Sequence, residues 1–198
     1  LAAPDMEQAL AELPGDLAGQ AQAQWDGLRA SHAPLQFEAG GGSTRTIRLD
    51  QPQVMGILNV TPDSFSDGGK FMDNPDVANA HASAMLEAGA AMIDVGGEST
   101  RPGAAAVWEG DELKRVIPAI ERLAASGAAI SADTRRVGVM EAALAAGAHV
   151  INDVSALRHD PRSLELAARS GAPVVLMHAP GEADDLHADG HYGEVVLD

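Results

Sequence analysis

Cysteine is absent from this 198-residue chain, which removes disulfide scaffolds, thiolate metal sites and cysteine nucleophiles together. Basic residues are scarce: 13 Lys and Arg stand against 29 Asp and Glu, a formal charge of −16. That field repels nucleic acids and anionic membrane surfaces, so neither is an expected partner. An anionic small molecule is not excluded, because backbone N–H groups, an arginine or a metal ion reverse the field locally. No apolar run is long enough to cross a bilayer, and the opening LAAPDMEQ carries acid where a signal peptide needs base. A cytoplasmic protein is the expectation. What is present, 45% hydrophobic and 21% charged residues, describes a soluble globular domain with a real core. The chain starts at Leu1 and stops at Asp198 just after Val195, Val196 and Leu197, which reads as a fragment at both ends.

Three segments differ in character. Residues 1–33 read as a helical extension, rich in Ala, Gln, Glu and Leu from Asp5 to His32 and broken into two short helices at Pro14-Gly15. Residues 34–53 read as a β-hairpin, with LQFEA at Leu35 to Ala39 and TRTIRL at Thr44 to Leu49 about the Gly40-Gly41-Gly42-Ser43 turn. From residue 54 to 198 a repeat takes over. Four times a helix closes on a small residue and Gly-Ala, at Gly89, Gly127, Gly147 and Gly171, and an apolar strand follows. The strands are VMGILN (Val54 to Asn59), MIDVG (Met92 to Gly96), AISAD (Ala129 to Asp133), HVIND (His149 to Asp153) and PVVLMH (Pro173 to His178). Asn74-Pro75 and Asp160-Pro161 mark helix starts.

This is the βα unit of a parallel sheet, in either a doubly wound sheet or a (β/α)₈ barrel. No GxGxxG or GxxxxGK[ST] follows a strand, and each strand carries a polar group near its end: Asn59, Asp94, Asp133, Asn152 and His178. Those ends converge on one mouth in a barrel. The fold class is therefore α/β, a partial (β/α)₈ TIM barrel with about five of the eight strands, an N-terminal helical extension and a hairpin. Its open side would expose strand edge and apolar core, so the chain by itself is expected to be poorly soluble.

Two loops at the mouth are richer than simple connectors: NVTPDSFSDGG (Asn59 to Gly69) and GGESTRPGA (Gly96 to Ala104). Both are also compatible with solvated turns. The amide oxygen of Asn59 suits Mg²⁺, or else caps a turn. Asp133, ending an apolar strand, needs a donor: the N–H groups of a heterocycle, Arg135, Arg136 or a neighbouring backbone amide. Asn152 both donates and accepts, which suits the edge of a heterocycle, whereas Asp153 points to the opposite face. Arg101 is the natural anion contact, with Glu98 as its competing partner. His178, His187 and His191 among Asp184, Asp185 and Asp189 invite zinc, but their irregular spacing reads as an acidic surface loop. Met177 would pack on a flat ligand or fill core.

The runs MGILNVTPDSFSDGG (Met55 to Gly69), IDVGGESTRPGA (Ile93 to Ala104), the strand end Asp133-Thr134 and INDV (Ile151 to Val154) occur in the order and spacing of one family. Over roughly Val54 to His178 the chain resembles the dihydropteroate synthases of folate biosynthesis. The resemblance implies a (β/α)₈ barrel that joins p-aminobenzoate to 6-hydroxymethyl-7,8-dihydropterin diphosphate with Mg²⁺, releasing pyrophosphate. It implies that Asn59 helps hold the metal and diphosphate, that Asp133 and Asn152 bind the pterin, with Asp133 favouring the developing cation, and that Thr100 contacts the diphosphate. Phe65, Asp67, Arg101 and Pro102 would close over the pyrophosphate and shape the p-aminobenzoate pocket. The family is usually dimeric, so a homodimer is the assembly implied for a complete chain.

Departures accompany the match. Arg136 stands where the family often has lysine, and His178-Ala179-Pro180-Gly181 replaces HM-x-G. The later aspartate, SRK lysine and RxH motif have no counterpart, so little or no activity is expected of the chain as written. A methyltetrahydrofolate-dependent corrinoid methyltransferase and a non-catalytic pterin-binding module are the alternatives.

Overall fold

The four Gly-Ala steps behave as their sequence predicts. Gly89, Gly127, Gly147 and Gly171 all lie at positive φ, from 67° to 108°, each turning the chain out of a helix towards a strand. The computed structural model describes residues 8–39, 42–61, 75–99, 107–181, 190 and 193. The chain divides into two compact units, residues 1–35 with 48–52 and residues 36–47 with 53–198.

The first unit is built on α1 (Gly15–Arg29), preceded by a helical turn at residues 8–11. The break at Pro14-Gly15 is where the sequence puts it. No residue of α1 is buried, so its local order rests on contacts such as Gln22 to Asp26 at 2.8 Å and Arg29 lying 5.6 Å from the Trp25 ring.

In the second unit, apart from Leu35 at its start, β1 (Leu35–Ala39) and β2 (Ser43–Ile47) form a two-stranded sheet. The second strand ends at Ile47 rather than Leu49, because Arg48 and Asp50 turn to bond each other at 2.5 and 2.8 Å. Five parallel strands follow with four helices between them: β3 (Met55–Asn59), α2 (Pro75–Glu87), β4 (Met92–Gly96), α3 (Glu109–Ala125), β5 (Ile130–Asp133), α4 (Val137–Ala145), β6 (Val150–Asp153), α5 (Ser163–Ser170) and β7 (Val174–Leu176). Spatial order follows chain order, β3-β4-β5-β6-β7. A doubly wound sheet reverses its order at a switch point; this sheet never does, as in a barrel wall.

Side chains alternate between the two faces of the sheet; β3, at the edge, alternates in exposure as well, whereas β4 is buried at every position. One set of side chains, including Leu58, Ile93, Val95, Ile130 and Ala132, packs on Ala82, Val116, Ile120, Leu123, Val139 and Ala143 of the helices. Val116, Ile120 and Leu123 make a single stripe on α3, at spacings of four and three. Asp153 is fully buried, and its carboxylate binds the turn beyond β6 at Ser155 and Leu157, away from Asn152 as expected. The other set of strand residues faces the inner side. Its apolar members at the sheet edges are open: Ile57 is 59% exposed and Val175 46%. These are among the groups behind the expected poor solubility.

Besides the end of β2, two boundaries differ by more than one residue from the sequence reading. Strand β7 spans only residues 174–176, because β6 stops at Asp153, whose carbonyl takes a last bond from Met177 N at 3.3 Å. His178 therefore lies two residues beyond the strand. Helix α5 begins at Ser163 rather than Pro161, since Asp160 first closes a turn by accepting Arg162 N–H at 2.9 Å and pairing with its guanidinium.

The hairpin meets the end of the sheet where strands begin. Arg45 Nε donates to Gly127 O at 2.5 Å, Phe37 lies 4.9 Å from the His149 ring, and His149 Nε2 is 3.0 Å from Glu38 O. Because His149 Nδ1 accepts Ile130 N–H at 3.1 Å, Nε2 is the nitrogen that carries the proton. The opposite end, where strands finish, is left for a site.

At that end the turn after β6 is strained, with Ala156 at φ 53° and Leu157 at φ 62°. Ala156→Gly is expected to stabilise the chain by about 0.5–1 kcal/mol, the relief of a left-handed alanine less the added chain entropy of glycine. Urea denaturation measures it, and a loss of stability would contradict the strain.

Candidate functional site

Hydrogen-bond register lines up Asn59, Gly96, Asp133 and Asn152 across four strands. Their side chains share the inner face, since neighbours in register point the same way. Gly96 is the gap in that row. A Cβ built on it would stand 3.2 Å from Asp133 Oδ2 and 3.3 Å from Asn59 Oδ1, so both oxygens lean over the space a side chain would fill. One row deeper, Asp94 and Ser131 are paired in register. Asn152 Nδ2 reaches across to donate to Asp94 Oδ2 at 3.1 Å. That bond commits Asn152 Nδ2 and leaves Oδ1 as the acceptor of the side chain.

The row is short of donors. Among the described residues no side chain or backbone N–H donates to the Asp133 carboxylate. Burial, followed by the charges of Asp94, Glu112, Asp153 and Glu98, pushes its pKa up to about 7. Asp94 is also raised, by burial, with Ser131 and Asn152 opposing. Its Oδ1 and Ser131 Oγ are both buried, and neither completes a hydrogen bond of good geometry. A ligand bringing N–H groups to this floor would relieve several costs at once.

Arg135 and Arg136 do not serve Asp133. They bind Glu98 instead, Arg135 Nε at 2.9 Å and Arg136 Nη1 and Nη2 at 2.9 and 2.8 Å. Arg136 Nη1 also meets Glu112 Oε2 at 2.5 Å, and Thr134 Oγ1 donates to Glu112 Oε1 at 2.6 Å. Glu112 is wholly buried. Burial alone would raise Glu98, but the hydrogen bonds from Arg136 and Arg135 more than offset it and hold the pKa at about 2.

The structure thus brings Asn59, Asp133 and Asn152 together and adds Asp94 to them. Asp94 was legible as a polar strand residue but not as a site residue. His178 is exposed beyond β7. Thr100, Phe65, Asp67, Arg101 and Pro102 lie outside the described residues, as do His187 and His191. Among the described residues no group of three or more His, Cys, Asp or Glu is arranged to hold a metal.

A parallel (β/α) wall of five strands in chain order, with carboxylates and amides at its strand ends, defines the class: part of a TIM barrel, the architecture in which enzymes build their sites at the carboxyl-terminal mouth. The sequence profile of the family described as "Pterin binding enzyme" matches residues 55–198, and the chain belongs to that family. It is 55% identical over 126 residues to dihydropteroate synthase of Bacillus subtilis (strain 168), covering 63% of this chain and 44% of the relative. Among solved structures, Yersinia pestis dihydropteroate synthase with a sulfonamide drug complex superposes with TM-score 0.71 at 48% identity, over 82% of this chain and 57% of that one. Xanthomonas albilineans dihydropteroate synthase with 4-aminobenzoic acid gives TM-score 0.68 at 50% identity, over 83% and 56%. The chain spans about half the length of these relatives.

Proposed function

We propose that this chain supplies the pterin and diphosphate side of a dihydropteroate synthase, which joins 6-hydroxymethyl-7,8-dihydropterin diphosphate to p-aminobenzoate and releases pyrophosphate. The observation that carries the reading is the donor-poor row of Asn59, Asp133 and Asn152 about Gly96. A pterin edge offers ring and amino N–H groups to Asp133 and an N–H to Asn152 Oδ1, and Gly96 leaves room for it to approach.

Asn59 Oδ1 is a hard oxygen at the rim, and Asp133 Oδ2 leans towards the same space. One or two such oxygens completed by substrate phosphates is the usual protein share of a Mg²⁺ site, so these residues fit the ion. Bound there, Mg²⁺ would neutralise charge on the departing diphosphate. As the C–O bond to diphosphate breaks, the carboxylate of Asp133 favours the positive charge developing at the pterin methylene; the arylamine nitrogen then forms the C–N bond and releases one proton to solvent. Thr100 would contact the diphosphate, while Phe65, Asp67, Arg101 and Pro102 would shape the p-aminobenzoate pocket. Small molecules are then the partners, without nucleic acid or membrane, in a cytoplasmic protein that dimerises when complete. Among the described residues no helix is long and apolar enough to cross a membrane.

The test is pyrophosphate release by the gene product that carries these residues, given both substrates and Mg²⁺. Release that requires p-aminobenzoate supports the synthase. Pterin binding without release leaves the non-catalytic module, and methyl transfer to a corrinoid would identify the methyltransferase. Asn59→Ala is expected to raise the Mg²⁺ requirement and the KM for the pterin diphosphate by about 10–100-fold, with little change in the KM for p-aminobenzoate. Steady-state kinetics across a Mg²⁺ series reads this, and unchanged constants would remove Asn59 from the metal site.

A further inference from the structure

We propose that Glu98 and Glu112 are positioning residues: acting through Arg136 and Thr134, they fix the backbone just beyond Asp133 and so hold its carboxylate in the row. Glu112 anchors the segment from α3, accepting from Thr134 Oγ1 at 2.6 Å and Arg136 Nη1 at 2.5 Å. Thr134 Oγ1 in turn accepts the backbone N–H of Arg136 at 3.2 Å. The residue following Asp133 is therefore tied both to the helix and to its own turn.

Glu98 adds a second tether. Its carboxylate takes three of the guanidinium contacts already described and also the backbone N–H of Val107 at 3.2 Å. Residues 98 and 107 bracket the connection from β4 to α3, so one carboxylate fixes both ends of it and the turn beyond β5. The chain leaving β4 is pressed onto α3 as well, since a Cβ on Gly97 would stand 2.6 Å from Val116 Cγ2, and Arg115 Nη1 holds Gly97 O at 3.2 Å.

Two buried carboxylates against two guanidiniums would satisfy neutrality in many arrangements. This one places both arginines directly after the strand that ends in Asp133, and the two glutamates on the neighbouring βα unit. Asp133 has no donor of its own among the described residues, so its position is set by its backbone and by these tethers. The effect on ligand rests on the reading of Asp133 as the pterin contact; the tethering does not.

The experiment compares wild type, Glu98→Gln, Asp133→Asn and the double variant in the gene product that carries this chain. Amide hydrogen exchange without ligand should quicken about tenfold at Val107 and at residues 134–136 in Glu98→Gln, with α2 unchanged. Affinity for 6-hydroxymethylpterin, measured by calorimetry on folded protein, should fall about tenfold, the usual scale of coupling within one network. In the Asp133→Asn background the same substitution should change affinity less than twofold. A purely structural role lowers the thermal midpoint and leaves affinity per folded molecule unchanged, which would overturn the proposal. So would additive effects in the double variant, or exchange that rises equally everywhere. If wild type binds no pterin, the reading of Asp133 falls, and the exchange data still decide the tethering.

Discussion

Asp133→Asn is expected to make the folded protein more stable above neutral pH while removing most of the proposed synthase activity of the gene product that carries this chain. Burial and four acidic neighbours raise this carboxyl from 3.8 to about 7 in the folded chain. A group raised on folding contributes its stability fully below the unfolded value and loses it as pH climbs through the folded one. Above pH 7 the wild-type fold therefore carries an uncompensated carboxylate, at a cost on the order of 2–4 kcal/mol. Asparagine keeps the shape and has no charge to bury, so thermal midpoints of the two proteins should coincide below about pH 4, separate progressively between about pH 4 and 7, and differ by a constant amount above about pH 8. Turnover should fall by about 10²–10³-fold, the scale of removing one preorganised electrostatic group, with pterin affinity falling beside it. Parallel stability curves would refute the strained carboxylate, and wild-type turnover would refute its role. The opposition is physically reasonable, because a site stocked with acceptors and few donors costs the empty protein what it returns when a donor-rich ligand arrives.

The skeleton of this unit was legible because its signals are local. Each Gly-Ala step is a helix end and each short apolar run a strand, so Gly89, Gly127, Gly147 and Gly171 marked the repeat before any contact was known. Asn59, Asp133 and Asn152 were legible for a related reason: each sits at a strand end, and a parallel sheet brings such ends together. Pairing was not legible. Glu98 binds Arg136, 38 residues away in the sequence. Asp94 and Asn152 meet across 58 residues, from strands that are not neighbours but lie on either side of β5. Alternation along a strand fixes which face a side chain takes. Which of several like-charged residues it meets there depends on strand order and helix phase, and no local pattern carries those.

Arg136→Met is expected to cost about 3–5 kcal/mol of folding stability, the penalty for leaving a buried charge without its partner. Its guanidinium touches Glu98 and Glu112 together, and methionine fills similar space without replacing either bond. Burial opposes the charge on Arg136, and the two glutamates more than offset that, raising its pKa further. The same contacts hold Glu98 at about 2. A carboxyl depressed on folding contributes stability above its unfolded value and loses it as pH falls through the folded one. Wild type should therefore lose stability between about pH 4.5 and 2 on account of Glu98, and Arg136→Met should flatten that part of the curve. Urea denaturation across this range measures both effects. Adding Glu112→Gln to Arg136→Met should restore part of the loss, because the damage comes from the unpaired carboxylate rather than from the missing arginine. A single-variant loss below about 1 kcal/mol, the value of an exposed pair, would show that the network is solvated and that its charges do not need one another.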